Sequence, residues 1–430
     1  MRIAAFTLII GVVWTPMAAG QPAASPVVLT LQEAERRSLD LNPQILAGHA
    51  AALAASETIR QARSAYFPTA FGSLTGAGAM DGTRIAAGGL NNPTILDRFA
   101  AGVAVSQLIT DFGRTSNLVQ GSTLVANSRD KDVDARRADV LLQVDRAYFN
   151  ALRAEAVLHV ARETVEARQL VADQIKALAT SGLKSGLDLS FANVNLSEAR
   201  LLLVQAENDL HASHASLSAV LGLDHAETYE LSEEPLPGPP SDDISPLVSR
   251  ALRDRPDVVA QRFSVDASRR FADAERSLWM PAISLVGAAG FTPYHQIGLN
   301  DRYSAAGVNV TLPVANGNLF SARHAEALFR AQSQDYMLRD MQNRVSRDVT
   351  VAWLDARAGY QRLDLANQLV TQATSALDLA ETRYNLGLSS IVELTQAQLN
   401  KTRADIEQAS ARYDYQARTA ALRYQIGDLK

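Results

Sequence analysis

The sequence predicts a mostly α-helical chain with a small β part, built from two copies of one unit. Two observations predict this class. Short motifs of the first half recur in the second half at a nearly constant distance, and each half contains a long proline-free stretch in which apolar residues recur at helical spacing. The composition is that of a folded chain, since 47% of the 430 residues are apolar and 20% are charged. The predicted unit is one helix, two strands and a long coiled-coil hairpin.

The recurring motifs occur at two offsets. At an offset of 213 residues, Asn42-Pro43 matches Arg255-Pro256 and Tyr66-Phe67-Pro68 matches Trp279-Met280-Pro281; at an offset of 205, Gly102, Tyr148, Gly182 and Gly222 match Gly307, Trp353, Gly387 and Gly427. The smaller second offset places eight extra residues in the Gly/Asn-rich loop of the first copy, within residues 79–98. Five prolines in residues 232–246 predict a stiff connector. We therefore expect a first repeat over residues 21–231 and a second over 247–430.

The first element of each copy is a helix of about 23 residues. In copy one it begins with Asn42 as the cap and Pro43 in the first turn. Two short segments with alternating apolar and polar residues follow, joined by a Gly-rich loop. The clearest alternation lies in residues 101–111 and 304–314, which predicts strands.

The last element of each copy is a long helical hairpin. Residues 122–181 contain neither glycine nor proline, which allows a helix of roughly 90 Å. Apolar residues follow the 4-3 spacing of a coiled coil, which predicts a packing surface. These residues are Val140, Val144, Ala147, Ala151, Ala154, Leu158, Ala161 and Val165 in copy one, and Val345, Val349, Ala352, Ala356, Gly359, Leu363, Ala366 and Val370 in copy two. Each rod is predicted to reverse at Gly182 or Gly387 and to return over about 35 residues.

The first 20 residues have the features of a secretory signal peptide. Arg2 precedes an apolar core from Ile3 to Trp14, and Ala18-Ala19-Gly20 precedes Gln21. This apolar run is shorter than the ~20 residues that a membrane-spanning helix needs. We expect residues 1–20 to be removed and the mature protein to be exported.

Several function classes are disfavoured by composition and motifs. The net charge of −5 without a basic stripe argues against nucleic acid as a partner. The absence of cysteine excludes disulfides, thiolate metal sites and a cysteine nucleophile. Asp111-Phe112-Gly113 has the letters of a kinase motif, but it lies where a strand passes into a helix and predicts a turn. We expect no enzyme activity, no cofactor and no metal site.

The alternating segments have the length of membrane-spanning strands, which is about 9–11 residues. A bilayer admits strands only in a closed sheet, and the smallest such barrels have about eight strands. One chain offers four. A membrane barrel would therefore need strands from several copies, and a soluble hairpin packed on helices is the alternative.

The order and duplication of these motifs resemble the TolC-like outer-membrane efflux family. The resemblance covers essentially the whole mature chain. The motifs that carry it are Asn42-Pro43, Tyr66-Phe67-Pro68, Trp279-Met280-Pro281, the strand-to-helix passages 105–117 and 310–322, the two helix breaks, Leu221-Gly222 and Ile426-Gly427. It implies a homotrimer with a 12-stranded β-barrel in the outer membrane of a Gram-negative bacterium and an α-helical barrel in the periplasm.

The resemblance also implies a function and partners. The protein would give substrates passive exit from a tripartite efflux or type I secretion system, in contact with outer-membrane lipid. It would dock to a periplasmic adaptor, or membrane fusion protein, and to an inner-membrane pump of RND, ABC or MFS type. A periplasmic coiled-coil scaffold or adaptor without a membrane barrel is the competing function. An adaptor, however, would normally carry one long hairpin and β-rich lipoyl-like segments.

Site residues follow from the same resemblance. Tyr384 and Glu393 match positions that constrict the periplasmic mouth of such channels, and Asp188 is the counterpart of Glu393 in copy one. The alternative is that both acids are solvated first-turn residues stabilised by the helix dipole. Ser389 and Gln396 replace an arginine and an acid of the best-known member, so we expect fewer bonds closing the mouth. The residues expected to contact the adaptor are Ser181, Gly182, Leu183, Leu386, Gly387 and Leu388.

Overall fold

A computed structural model describes residues 27–78, 80, 98–294 and 300–429. The predicted signal peptide, residues 1–20, lies outside the described residues. Most of the loop 79–98, to which the offsets assign eight extra residues, lies outside them as well.

The first copy contains four helices and four strands among the described residues. In chain order these are β1 (Val27–Leu29), α1 (Leu31–Leu41), α2 (Pro43–Arg63), β2 (Thr69–Ala77), β3 (Arg98–Thr110), α3 (Arg114–Thr180), α4 (Gly186–Val220) and β4 (Tyr229–Leu231). A short 3-10 turn, Ser64–Tyr66, joins α2 to β2. As predicted, Pro43 opens α2 and the side chain of Asn42 accepts a hydrogen bond from the N–H of Gln44 (2.9 Å).

The second copy repeats the helices, the hairpin of strands and the long coiled coil. Its elements are α5 (Ser245–Asp254), α6 (Pro256–Arg276), β5 (Ala282–Tyr294), β6 (Arg302–Thr311), α7 (Leu319–Asn385) and α8 (Ile391–Gln425). The long helices α3 and α7 each have 67 residues, and the return helices α4 and α8 each have 35. At 1.5 Å per residue each long helix measures about 100 Å. The predicted coiled-coil hairpins are confirmed.

The predicted 4-3 stripes lie at the helix interfaces. Val144, Ala151 and Ala161 are fully buried in α3, as are Val349 and Ala356 in α7. Alanine at so many of these positions lets the helices approach closely, because its side chain ends at Cβ. The interpretation of these stripes as packing surface is confirmed.

The long elements lie side by side as four columns. The principal partners of α3 are α2 and α4 along one side and α6 and α8 along the other, whereas α7 packs on α6 and α8. The column of α2 with α4 therefore forms one edge of the described structure, and α7 forms the opposite edge.

The four long strands form one antiparallel sheet in the order β2-β3-β5-β6. The register pairs Val103 with Ala289 and Leu285 with Val308, so that Val103, Leu285 and Val308 share one face. The opposite face carries mostly small and polar side chains, among them Thr69, Ser73, Ala104, Ser106, Ser284, Asn309 and Thr311, together with the larger Phe71, Leu108, Val286 and Tyr303. The predicted alternation is confirmed, and β2 and β6 are the edge strands.

A second, two-stranded sheet was not predicted. Strand β1 pairs in parallel with β4, with Leu29 opposite Leu231. The hydroxyl of Tyr148 lies within hydrogen-bond distance of the carbonyl oxygens of Leu29 (2.9 Å) and Ser232 (2.6 Å). The small sheet thereby fastens the start of copy one and the beginning of the connector to the middle of α3.

Within the described ranges, every helix is too short or too polar to cross a lipid bilayer.

Candidate functional site

The two hairpin tips are built by the same helix-ending turn. Gly182 and Gly387 have φ of +75° and +72°, a backbone region that residues with a side chain rarely adopt. In tip one the N–H of Leu183 donates to the carbonyl of Leu178 (2.9 Å), and in tip two the N–H of Leu388 donates to that of Arg383 (2.8 Å). This is the Schellman arrangement, and it confirms why each rod breaks at a glycine.

The return helices begin with serine caps. The Oγ of Ser185 accepts from the N–H of Asp188 (3.1 Å), and the Asp188 carboxylate accepts from the N–H of Ser185 (3.2 Å). In tip two the Oγ of Ser390 accepts from the N–H of Glu393 (3.4 Å). Within one chain Asp188 is thus a capping acid of the first turn, as in the alternative interpretation of the sequence.

Glu393 has a different partner. Its carboxylate lies 3.0 Å from the guanidinium of Arg383, which stands in the last turn of α7. Both side chains are about half exposed, so the pair contributes at most about 1 kcal/mol to stability in one chain. Arg383 was missed in the sequence. The sequence feature that could have identified Arg383 is its position in the last turn before the break. The Schellman turn brings this last turn of α7 beside the first turn of α8.

Tyr384 lies between the two tips of one chain. It is 6% exposed and packs in a cluster with Ile175, Leu196, Ile391 and Leu394. The ammonium of Lys184, from tip one, lies 3.8 Å from the centre of its ring, which is a cation–π contact. The Tyr384 hydroxyl has no hydrogen-bond partner within the described residues.

The outermost surface of the tips is apolar. Leu183, Leu386 and Leu388 are each about two-thirds exposed or more, and Ser181, Gly182 and Gly387 lie exposed among them. The tips therefore present contiguous small and apolar surface beside the acids. Among the residues that the structure describes, no group of three potential ligands is placed to hold a metal ion.

Residues 36–223 and 247–428 match the profile of the outer membrane efflux protein family. The chain belongs to this family.

Curated relatives extend over nearly the same length. The chain is 26% identical to outer membrane protein TolC of Vibrio cholerae over 412 residues, which cover 93% of this chain and 91% of that protein. It is 26% identical to protein CyaE of Bordetella pertussis over 401 residues, which cover 92% of this chain and 82% of the relative.

Solved structures share the fold. The outer-membrane channel OprN superposes with a TM-score of 0.81 at 19% identity, covering 93% of this chain and 90% of that one. The open state of the MtrE outer membrane channel of Neisseria gonorrhoeae superposes with a TM-score of 0.76 at 18% identity, with coverages of 93% and 89%. These matches confirm the predicted combination of a helical barrel and a β part.

Family membership decides between the functions considered from the sequence. The protein is an outer-membrane channel of efflux or secretion, with its helical part in the periplasm, and not a periplasmic scaffold. Outer membrane efflux proteins are channels rather than enzymes, and they work with further components of efflux and secretion systems.

Proposed function

We propose that three copies of this chain close into one continuous duct that gives substrates passive exit across the outer membrane. A periplasmic adaptor would join the hairpin tips to an inner-membrane pump of RND, ABC or MFS type, which supplies the energy. The observation that carries this proposal is that the sheet and the helical layer both end in unpartnered edges among the described residues. In both layers the first copy supplies one edge and the second copy supplies the other.

In the sheet the edges are β2 and β6. Each has a neighbouring strand on one side only among the described residues. In a bilayer the unpaired N–H and C=O groups of an edge strand cost several kcal/mol each. Pairing β6 of one copy with β2 of the next removes both edges, and this head-to-tail contact closes into a ring when the rotation per copy allows it. Three copies give the twelve strands that the family resemblance implies.

In the helical layer the edges carry exposed apolar stripes. On α4, Leu187, Val194 and Leu201 are exposed at intervals of seven residues. On α7 the exposed apolar residues include Val351, Leu354, Leu365, Leu369 and Leu379. Stripes with heptad spacing fit a partner helix, and the next copy supplies one.

The duplication also predicts which residues meet across this contact. Within one chain the Oγ of Ser128 on α3 lies 3.0 Å from that of Ser264 on α6. The offset of 205 relates Ser128 to Ser333 on α7, and the offset of 213 relates Ser264 to Ala51 on α2. Ser333 and Ala51 are both exposed on the opposite edges of the chain. In the ring, Ser333 of one copy would lie against Ala51 of the next.

A disulfide test follows from this pairing. The double variant Ala51→Cys/Ser333→Cys is expected to form disulfides between copies in the oxidising periplasm, so that covalent trimers appear on non-reducing denaturing gels. The matched control is Ser128→Cys/Ser264→Cys, whose disulfide forms within one chain and leaves a monomer band. The chain has no cysteine of its own to interfere. Covalent dimers without trimers, or no cross-link from a well-folded double variant, would refute the ring.

We further propose the roles of the tip residues. Asp188, Tyr384 and Glu393 would constrict the periplasmic mouth, and the exposed tip residues Ser181, Gly182, Leu183, Leu386, Gly387 and Leu388 would contact the adaptor. The half-exposed Glu393 carboxylate, held by Arg383, supports the first role, and the exposed leucines support the second. The same proposal includes the division into repeats 21–231 and 247–430 joined by residues 232–246.

Single-channel recording tests the constriction. Glu393→Gln is expected to lower the preference of the current for cations by roughly a factor of a few, because three carboxylates at a narrow mouth set its potential. Glu57→Gln is the control, since it also breaks an exposed ion pair, with Arg60, but lies far from the tips on α2. If both variants conduct like the parent protein, Glu393 does not line the constriction.

A further inference from the structure

The turn that joins β3 to α3 holds an aromatic residue in a strained conformation. Phe112 has a φ of +53° and the next residue, Gly113, a φ of +96°. Side chains larger than that of glycine disfavour this left-handed region, and aromatic residues are rare in it. Among the described residues other than glycine, only Phe112 and Asn318 have positive φ.

The duplicated turn shows that the backbone does not require phenylalanine. At the offset of 205, Phe112 corresponds to Gly317, with a φ of +56°, and Gly113 corresponds to Asn318, with a φ of +67°. The two turns are closed alike. In copy one the N–H of Arg114 donates to the carbonyl of Asp111 (3.4 Å). In copy two the N–H of Leu319 donates to the carbonyl of Asn316 (3.1 Å). Copy two thus makes the same turn with the residue best suited to it.

Packing inside the chain does not explain the phenylalanine either. Its side chain is 53% exposed and belongs to none of the buried clusters in the part of the chain that the structure describes. The turn is held by Asp111, whose carboxylate accepts hydrogen bonds from the N–H and the hydroxyl of Thr115. A strained residue that the fold does not need points to a function of its side chain.

Phe112 belongs to a set of apolar side chains at one level of the molecule. At the helix-proximal end of every long strand an exposed large apolar residue lies within three residues of the strand. This lower girdle consists of Phe67, Phe112, Met280 and Val314. Exposed aromatic and apolar side chains at strand ends mark the edge of a bilayer in membrane β-barrels.

Arginines lie next to the lower girdle on its helical side. Arg63 and Arg276 end the helices that lead into β2 and β5, and Arg114 begins α3 two residues after Phe112. Arginine forms strong, often bidentate hydrogen bonds with phosphate. An apolar ring followed by arginines complements a phospholipid leaflet, with acyl chains at one level and phosphates at the next.

We propose that Phe112 inserts into the inner leaflet of the outer membrane, at the boundary between acyl chains and headgroups, and that its strained turn presents it there. This inference rests on the proposed function, in which the strands cross the bilayer. The partner is the phospholipid surface, whereas the water-filled interior of the duct is the competing environment for the side chain.

Single-cysteine spin labelling tests the inference in the full-length protein. The protein is reconstituted into vesicles of phosphatidylethanolamine and phosphatidylglycerol, and collision with oxygen is compared with collision with a water-soluble nickel chelate. The spin label attached to Phe112→Cys is expected to collide severalfold more often with oxygen than with the chelate. The same result is expected for Val103→Cys, on the face of the sheet that carries Leu285 and Val308. Ser181→Cys, at a hairpin tip, is the aqueous control.

The outcomes separate the two levels of proposal. If Val103→Cys favours oxygen but Phe112→Cys favours the chelate, Phe112 faces water and the inference is overturned. If Val103→Cys also favours the chelate, the membrane barrel itself fails.

A second variant keeps an aromatic ring in case the cysteine variant does not fold. Phe112→Trp is made together with Trp279→Phe and Trp353→Phe, so that the indole introduced at position 112 is the only one in the chain after removal of residues 1–20.

Fluorescence quenching of this indole by brominated phospholipids in the same vesicles supports the inference. Quenching by aqueous iodide alone overturns it.

Discussion

Replacing Tyr148 with alanine is expected to lower the free energy of unfolding by about 3–5 kcal/mol, which is the range for removing a fully buried aromatic side chain. Tyr148 is 0% exposed and lies in the cluster that joins α1, α3 and the small sheet. The loss combines a cavity in this cluster with the loss of the hydroxyl that reaches the carbonyls of Leu29 and Ser232. Thermal unfolding of the purified protein, followed by the circular dichroism signal of its helices, measures this loss of stability.

Tyr148→Phe separates the two contributions. Phenylalanine keeps the ring, and the carbonyl of Leu29 still accepts a hydrogen bond from the N–H of Ser232 (3.1 Å). Both carbonyls lose the tyrosine hydroxyl, but only that of Ser232 depends on it among the bonds described, so we expect a cost of about 1 kcal/mol. An alanine variant no less stable than the phenylalanine variant would show that packing of the ring is not the larger contribution. Copy two makes a similar fastening, because the indole N–H of Trp353 donates to the carbonyl of Ser241 (2.7 Å).

Asp145→Asn is expected to stabilise the protein at pH 8 and to leave its stability unchanged near pH 4. Burial, followed by the neighbouring Glu35 carboxylate, raises the pKa of Asp145 to about 7. Glu234 from the connector adds to this, and Arg423 on α8 opposes it. In its charged form, neither oxygen of Asp145 has a hydrogen-bond donor within the described residues. Above neutral pH the folded protein therefore holds a buried charge that Arg423 offsets only in part.

The pH dependence has a definite sign. In the unfolded chain an aspartate has a pKa of about 3.9. Between about pH 4 and pH 7 the folded state keeps the proton of Asp145 and the unfolded state has lost it, so the free energy of unfolding falls as the pH rises. The full effect is about 4 kcal/mol above pH 7.

Denaturant unfolding at several pH values measures this dependence. The asparagine variant should lack the fall, whereas Asp130→Asn, at an exposed position of the same helix, should keep it. A variant whose stability follows the parent curve at every pH would contradict the account.

The regular parts of the fold could be predicted because periodicity alone encodes them. The 4-3 rhythm through Val144 and Ala151 indicated the coiled coil, and the matched glycines at 182 and 387 indicated the two reversals. Four strands are too few to close a membrane barrel, so more than one copy is needed. None of these inferences needs knowledge of tertiary contacts, because spacing within a segment, matched positions in the two halves and a count of strands can all be read from the sequence.

Contacts between distant segments could not be predicted in the same way. The parallel pairing of β1 with β4 joins three-residue strands about 200 residues apart, too short to show any alternation. Arg383 was overlooked because its partner, Glu393, stands on the other side of a turn whose geometry alone sets their distance. The burial of Tyr384 depends on Lys184 and Ile175 from the other hairpin.

The equal lengths of the two hairpins restrict how the protein can change in evolution. Because α3 matches α7 and α4 matches α8 residue for residue in length, both tips end at the same distance from the sheet. An insertion in one half alone would leave one tip projecting beyond the other. Descendants of this duplicated gene should therefore gain or lose hairpin segments in both halves together, in steps of seven residues that keep each apolar stripe on its own side of the helix.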